Sequence, residues 1–269
     1  MWIAIFLLLP LNGIAHELGH ALYYLLARIR INVFVLFNVL IYRSDGKWKV
    51  KRLPAIKQSL VIPLIDESKS LEYYQRHVLN ELLAGPIMTV LLIVLWACLL
   101  TRAEDSITKL AILANIGMNG SLLFSCFRRN DNAIGDVTAF VLLGKNHVKL
   151  NCYILDYCML SKKMCYEYEQ FFELDFDALD DNEKVDWSFD CSALWKNGFH
   201  IKTDKKMLQY MVARLHYKAD SLESLDNSDI VASIYTEYFR YTLKNMKTEQ
   251  NLMNTILNEL GIGDGMNEE

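Results

Sequence analysis

No CxxC pair occurs anywhere in this chain. The six cysteines, Cys98, Cys126, Cys152, Cys158, Cys165 and Cys191, therefore do not spell a zinc ribbon or a dithiol redox motif. Cys98 and Cys126 fall in apolar segments, where a free thiol behaves as a small hydrophobe. Cys158 and Cys165 are seven residues apart, which suits one helix face. Reduced thiols are expected, and with them a cytosolic location for the carboxy-terminal part. A basic stripe with interleaved aromatics is also missing, and the acidic second half would repel phosphate, so no nucleic-acid partner is expected. The amino terminus lacks the basic n-region of a signal peptide and its apolar stretch is too long for one, so it reads as a retained membrane helix. No repeat of fixed period is present.

What the chain does have is an uneven distribution of charge and hydropathy. Residues 1–150 carry 16 Lys+Arg against 10 Asp+Glu, and residues 151–269 carry 12 against 22, for a total of −4. The long apolar runs all lie in the first half. The division expected is a membrane-embedded core over residues 1–147 and a soluble, acidic, helical domain over 148–269.

Three apolar runs, 2–27, 79–100 and 107–127, are each near the roughly 20 residues that cross a bilayer. The second is interrupted by Asn80, Glu81 and the Gly85-Pro86 pair. The third carries Asn115, Gly117, Asn119, Gly120 and Ser121, the small and polar residues of close helix packing. Arg28 and Arg30 follow the first run, and Arg128 and Arg129 follow the third. The link between the second and third holds only Arg102, opposed by Glu104 and Asp105. This bias predicts a multi-pass protein of the cell membrane with its amino terminus outside and its carboxy-terminal domain cytoplasmic.

Between the first two runs the pattern changes to β. Ile31–Tyr42 is rich in Val, Ile and Phe, Ser44-Asp45-Gly46 signals a turn, and Lys47–Lys51 alternates polar with apolar. A third strand is expected within Lys57–Leu64, giving a small sheet of two to four strands over 31–64 at the membrane surface. Asp66–His77 reads as a polar helix. Beyond residue 149, helices are expected at 150–172, 204–219, 228–246 and 248–260, with Glu173–Asp186 as an acidic link. His200 and His216 lack partner spacing and read as structural. The fold class expected is a mainly α membrane protein: a three-helix transmembrane core, a small membrane-surface β-sheet and a helical soluble carboxy-terminal domain.

The stretch His16-Glu17-Leu18-Gly19-His20 lies inside the first apolar run. Ionisable groups at membrane depth are costly unless paired, ligated or facing water. Residues four apart share a helix face, so both imidazoles point the same way. This is the HExxH arrangement, in which two histidines hold a zinc ion and the glutamate acts as general base. Glu17 is thus the candidate catalytic residue and His16 and His20 the candidate metal ligands. A catalytic zinc site needs a third protein ligand. Asp136 is chosen, because it follows a glycine at the mouth of the short apolar stretch 137–143; Asp131 is the alternative.

These residues make the chain resemble the site-2 protease family of membrane-embedded zinc metalloproteases. The resemblance covers about residues 1–145 and rests on four features in order. They are the HExxH motif in a membrane helix, a β-rich segment directly after it, Ala84-Gly85-Pro86 opening the next membrane helix, and Gly135-Asp136, where the family has an Asp-Gly that supplies the third ligand. The chain departs from the family at Thr89, where the Gly-Pro pattern has an asparagine, and at Val137, where it has glycine. The Asn-x-x-Pro that precedes the acid is replaced by Arg128–Asn132. Asn115, Asn119 and Asn130 are candidates for its substrate-orienting role.

The resemblance implies one catalytic Zn2+ and hydrolysis of peptide bonds in membrane proteins or membrane-resident peptides, with the lipid bilayer itself as a partner. The carboxy-terminal domain, outside the resemblance, is expected to have a cytosolic partner. A substrate helix must unwind before cleavage, and an exposed strand of the hairpin could receive the unwound segment by β-addition. The alternative is a scaffold of the same shape that has lost activity and binds or regulates a membrane partner.

Overall fold

The computed structural model describes residues 2–44, 46–52, 59–130, 133–199, 201–202, 204–215, 225, 227–245, 256–257 and 259–260. It is mostly helical with a small four-stranded sheet, and its chain divides into two compact units. Residues 1–64 and 76–146 form the first, and residues 65–75 and 147–269 the second.

The first unit begins with α1 (Trp2–Leu26), which keeps its helical form through Pro10. A turn at Arg28, with φ +58°, leads into the sheet. Its strands are β1 (Ile31–Leu36), β2 (Val39–Ser44), β3 (Lys47–Arg52) and β4 (Leu60–Pro63), in the order β3-β2-β1-β4 with every pairing antiparallel. The expected first strand, 31–42, is two strands. They are joined at Phe37-Asn38, where Phe37 takes φ +54°. That left-handed conformation is ordinarily supplied by glycine, so the turn carries no glycine signal in the sequence. Val33, Val35, Leu40 and Tyr42 bury one face of the central hairpin, and α1 packs against β1 and β4. β3 is exposed at every position, Trp48 and Val50 included. Of the strands in the expected hairpin, β1 and β2 are the inner pair and β3 is an outer strand, as is β4. Pro63 is accommodated because β4 is an edge, where a missing N–H is tolerated.

α2 (Leu71–Leu100) is one helix of 30 residues. The polar helix expected at 66–77 and the apolar run expected at 79–100 are therefore parts of one element. Gly85-Pro86 does not break it: the helix continues through Pro86 to Leu100. α3 (Ser106–Ser125) starts at Asp105, whose side chain accepts from the Ile107 and Thr108 amides. Among the described residues, α2 and α3 are the two helices long and apolar enough to cross a membrane. In the most apolar 18 residues of each only 17% are buried. Ile87, Val90, Leu91, Val94, Leu95, Leu110 and Leu113 face outward, unlike the core helix of a soluble protein. On α1 the side chains of residues 2–9 lie outside the described set.

A short hairpin, β5 (Arg129–Asn130) and β6 (Ala133–Ile134), joins α3 to α4 (Asp136–Lys145). The seam is tight at Gly135. A Cβ there would lie 2.3 Å from the Ser125 carbonyl oxygen, and the Val137 N–H donates to the Cys126 carbonyl at 3.0 Å. The start of α4 is thereby fixed against the end of α3.

The second unit holds α5 (His147–Ser161), α6 (Asp181–Lys196), α7 (Lys205–Arg214) and α8 (Ser228–Asn245). The helix expected over 150–172 ends at Ser161, and 3-10 turns follow at Tyr168–Phe172 and Phe176–Ala178. The acidic link expected at 173–186 conceals the start of α6. Asp180 accepts from the Glu183 amide while Glu183 accepts from the Asp180 amide, a reciprocal cap. Its acids belong to a helix amino terminus, where negative charge is favoured. α6 and α8 pack through Trp195 on Tyr235, with ring centroids 4.8 Å apart, and Phe189 on Phe239, at 5.5 Å. Residues 65–75 belong here because the Ile65 N–H donates to Ser161 Oγ and the Tyr166 N–H to the Lys69 carbonyl. All six cysteines are free thiols, and all but Cys98 are buried. The helix expected at 248–260, like His200 and His216, falls largely or wholly outside the described residues.

Candidate metal centre

The helical repeat of α1 stacks His16 and His20 on one face, with ring centroids 5.2 Å apart. Both are buried. Facing them is one stripe of α2, residues 81, 85 and 89, spaced four apart. Gly19 lets the two helices meet: a Cβ there would lie 2.8 Å from both the Ala84 carbonyl oxygen and Met88 Cβ.

Gly85 opens the space between the rings. A Cβ at this position would lie 2.2 Å from His20 Nε2 and 2.7 Å from His16 Nε2. Only glycine leaves that volume clear. On one side of it, Thr89 Oγ1 is 2.7 Å from His16 Nδ1. On the other, His20 Nδ1 lies 2.9 Å from both Glu81 Oε1 and the Glu81 carbonyl oxygen. Both Nδ1 atoms are thus engaged from α2, and both Nε2 atoms turn inward.

The third group arrives from α4. Asp136 Oδ2 is 3.0 Å from His16 Nε2 and 3.7 Å from His20 Nε2. The seam at Gly135 positions it there, at the first residue of the helix. His16, His20 and Asp136 each offer one ligand atom, all within 4.8 Å of one another, and together could hold a metal ion. The alternative ligand, Asp131, lies outside the described residues. Glu17 is half-buried beside the cluster, within electrostatic range of both imidazoles and of Asp136.

The asparagines expected to orient substrate have other partners. Asn115 Oδ1 accepts from Asn12 Nδ2 at 2.7 Å, and Asn115 Nδ2 donates to the Ala111 carbonyl. Asn119 Nδ2 donates to the Asn115 carbonyl, and Asn119 Oδ1 is buried without a hydrogen-bond partner. The Asn130 side chain is outside the described set. Sequence reasoning missed Glu81 and Thr89 as members of the site. The first stood out only as an acid interrupting an apolar run, and the second only as a departure from a pattern. Each lies four residues from Gly85, and that spacing was the available signal.

No protein-family profile, curated protein or solved structure matches this chain.

Proposed function

We propose that this chain is an integral membrane zinc metalloendopeptidase that cleaves membrane-associated or membrane-resident peptides. The carrying observation is the convergence of two imidazole Nε2 atoms and one carboxylate oxygen on a space that Gly85 keeps clear. Zinc takes such donors at about 2.0–2.2 Å, which separates tetrahedral ligand atoms by roughly 3.3–3.6 Å. The Asp136 separations of 3.0 and 3.7 Å bracket that range. Two nitrogens and one carboxylate leave the fourth position for water, the pattern of a catalytic rather than a structural site.

When bound, zinc would supply a water of lowered pKa and a Lewis acid for the peptide carbonyl. His16, His20 and Asp136 would hold it. Glu17 accepts the proton as water attacks and passes it to the leaving nitrogen. The burial of both histidines excludes bulk water from the ligands.

In this reading α1, α2 and α3 are three membrane spans, the amino terminus is outside, and the second unit is a cytoplasmic domain with a cytosolic partner. An unwound substrate adds to an outer strand of the sheet, β3 or β4.

The test is to purify the full chain in detergent and compare it with Glu17→Gln. One zinc per chain in both forms, with proteolysis only by the native one, is the expected result. Zinc in both forms with no difference in any cleavage assay would favour the inactive scaffold, to which the missing Asn-x-x-Pro already points. No zinc in either form would overturn the proposal.

A further inference from the structure

We infer that Thr89 and Glu81 are positioning residues of the metal site: from one stripe of α2 they fix each histidine with its proton on Nδ1 and its lone pair on Nε2. The inference rests on the metal reading above and deepens it.

The direction of each hydrogen bond carries the argument. A neutral imidazole has one N–H and one lone pair, and its partners decide which nitrogen holds which. The Thr89 hydroxyl has a single proton, and it donates to the Gly85 carbonyl at 3.1 Å. What Thr89 offers His16 Nδ1 at 2.7 Å is therefore an oxygen lone pair. With the Thr89 proton on the Gly85 carbonyl, Nδ1 donates and Nε2 keeps its lone pair, which is the form that ligates a metal. At His20 the choice is equally one-sided. Both atoms near its Nδ1, the Glu81 carboxylate and the Glu81 carbonyl, are oxygens 2.9 Å away that accept from the ring.

Burial makes these partners consequential. Thr89 is fully buried and Glu81 is 6% exposed. A carboxylate so far from water is held by its own interactions, and here its partner is the far nitrogen of a candidate ligand. Such an oxygen orients the ring and raises its basicity as a ligand. The helix repeat supplies the layout. Acceptor, gap and acceptor at 81, 85 and 89 bring two ring partners and one open volume to a single face.

With both Nε2 lone pairs directed at Asp136 Oδ2, three electron-rich atoms face one another. That arrangement is favourable around a cation; without one, a ring N–H on Nε2 takes its place against Asp136. Threonine at 89 is thus more than a replacement for the asparagine of the resembling family, since its hydroxyl fixes the outcome at His16.

The experiment measures zinc affinity of the full chain in detergent by competition with a chromophoric chelator, and the 15N-histidine spectrum of the zinc-loaded protein. Thr89→Val keeps the shape and removes the acceptor. It should weaken zinc about 10- to 100-fold and remove the exchange protection of the His16 Nδ1 proton while leaving that of His20. Thr89→Ser should bind within about threefold of the native protein, which separates loss of the acceptor from loss of the fold. Glu81→Leu should weaken zinc by a similar factor, with the His20 Nδ1 proton still bonded to the main-chain carbonyl. Zinc uptake by the native protein with an indifferent Thr89→Val, or native coordination through Nδ1, would overturn this inference alone. A native protein that takes up no zinc would overturn the functional reading together with it.

Discussion

Gly85 stands so close to His20 that a Cβ on it would lie 2.2 Å from the ring's Nε2. The backbone at this point is ordinary helix, where alanine is the better residue by about 1 kcal/mol. Gly85→Ala should therefore leave helix content unchanged and still empty the site. Zinc per chain, measured on purified protein, should fall from about one to near zero. Full zinc occupancy in this variant would mean that the ion is held elsewhere.

In the proposed site, Asp136 is the candidate ligand that comes from outside α1. An amide in its place keeps the size and loses the charge, so Asp136→Asn should lower zinc affinity by about two orders of magnitude or more. Chelator competition at fixed pH reads this directly. An affinity unchanged within threefold would remove Asp136 from the ligand set.

Asn12 and Asn115 join α1 to α3 through a 2.7 Å hydrogen bond between buried amides. Asn115→Leu removes the acceptor of the Asn12 amide nitrogen, while the Asn12 oxygen still accepts from Trp96 Nε1, and should cost about 1 kcal/mol of stability in detergent. The double variant Asn12→Leu with Asn115→Leu should cost less than the sum of the two single changes, because neither amide is then left without its partner. Additive losses would show that the pair is not coupled.

In the second unit, Asp156 of α5 and Asp190 of α6 are hydrogen-bonded to one another. Burial raises both acids, and neighbouring carboxylates, Asp186 among them, raise them further; Asp156 reaches about 7. The folded state holds the Asp156 proton more tightly than the unfolded chain does. This contribution to stability is complete below the usual Asp range and is lost as pH rises through about 7. Hydrogen exchange in α5 and α6 should accelerate between pH 5 and pH 8 beyond the intrinsic rate change. Asp156→Asn should flatten that dependence, because the group that titrates near 7 is then absent.

The parts of this molecule that could be read from sequence are those whose signal is local. His16 and His20 fall on one face because the helix repeat is fixed, and α3 ends at Ser125, just before the Arg128-Arg129 pair. Asp136 was marked by its glycine, and the structure brings it to the imidazoles across 120 residues. Other features were hidden by competing signals. The acids of Asp180–Glu183 looked like a linker because a helix cap and a solvated loop use the same residues. The turn at Phe37 has no glycine, so two strands read as one. Gly85-Pro86 looked like a break, but the glycine serves the rings and the helix runs on. Glu81 and Thr89 are conspicuous only once α1 is set against α2, a long-range fact that no window of sequence holds.

The tight joint at Gly135 has a consequence for biogenesis. In the proposed site the two imidazoles and the Asp136 carboxylate are separated by more than a hundred residues of chain, and the carboxylate reaches them only when the α3–α4 corner has closed. Until then the imidazoles alone form an incomplete chelate. On the proposed reading, metal loading therefore awaits the docking of α4.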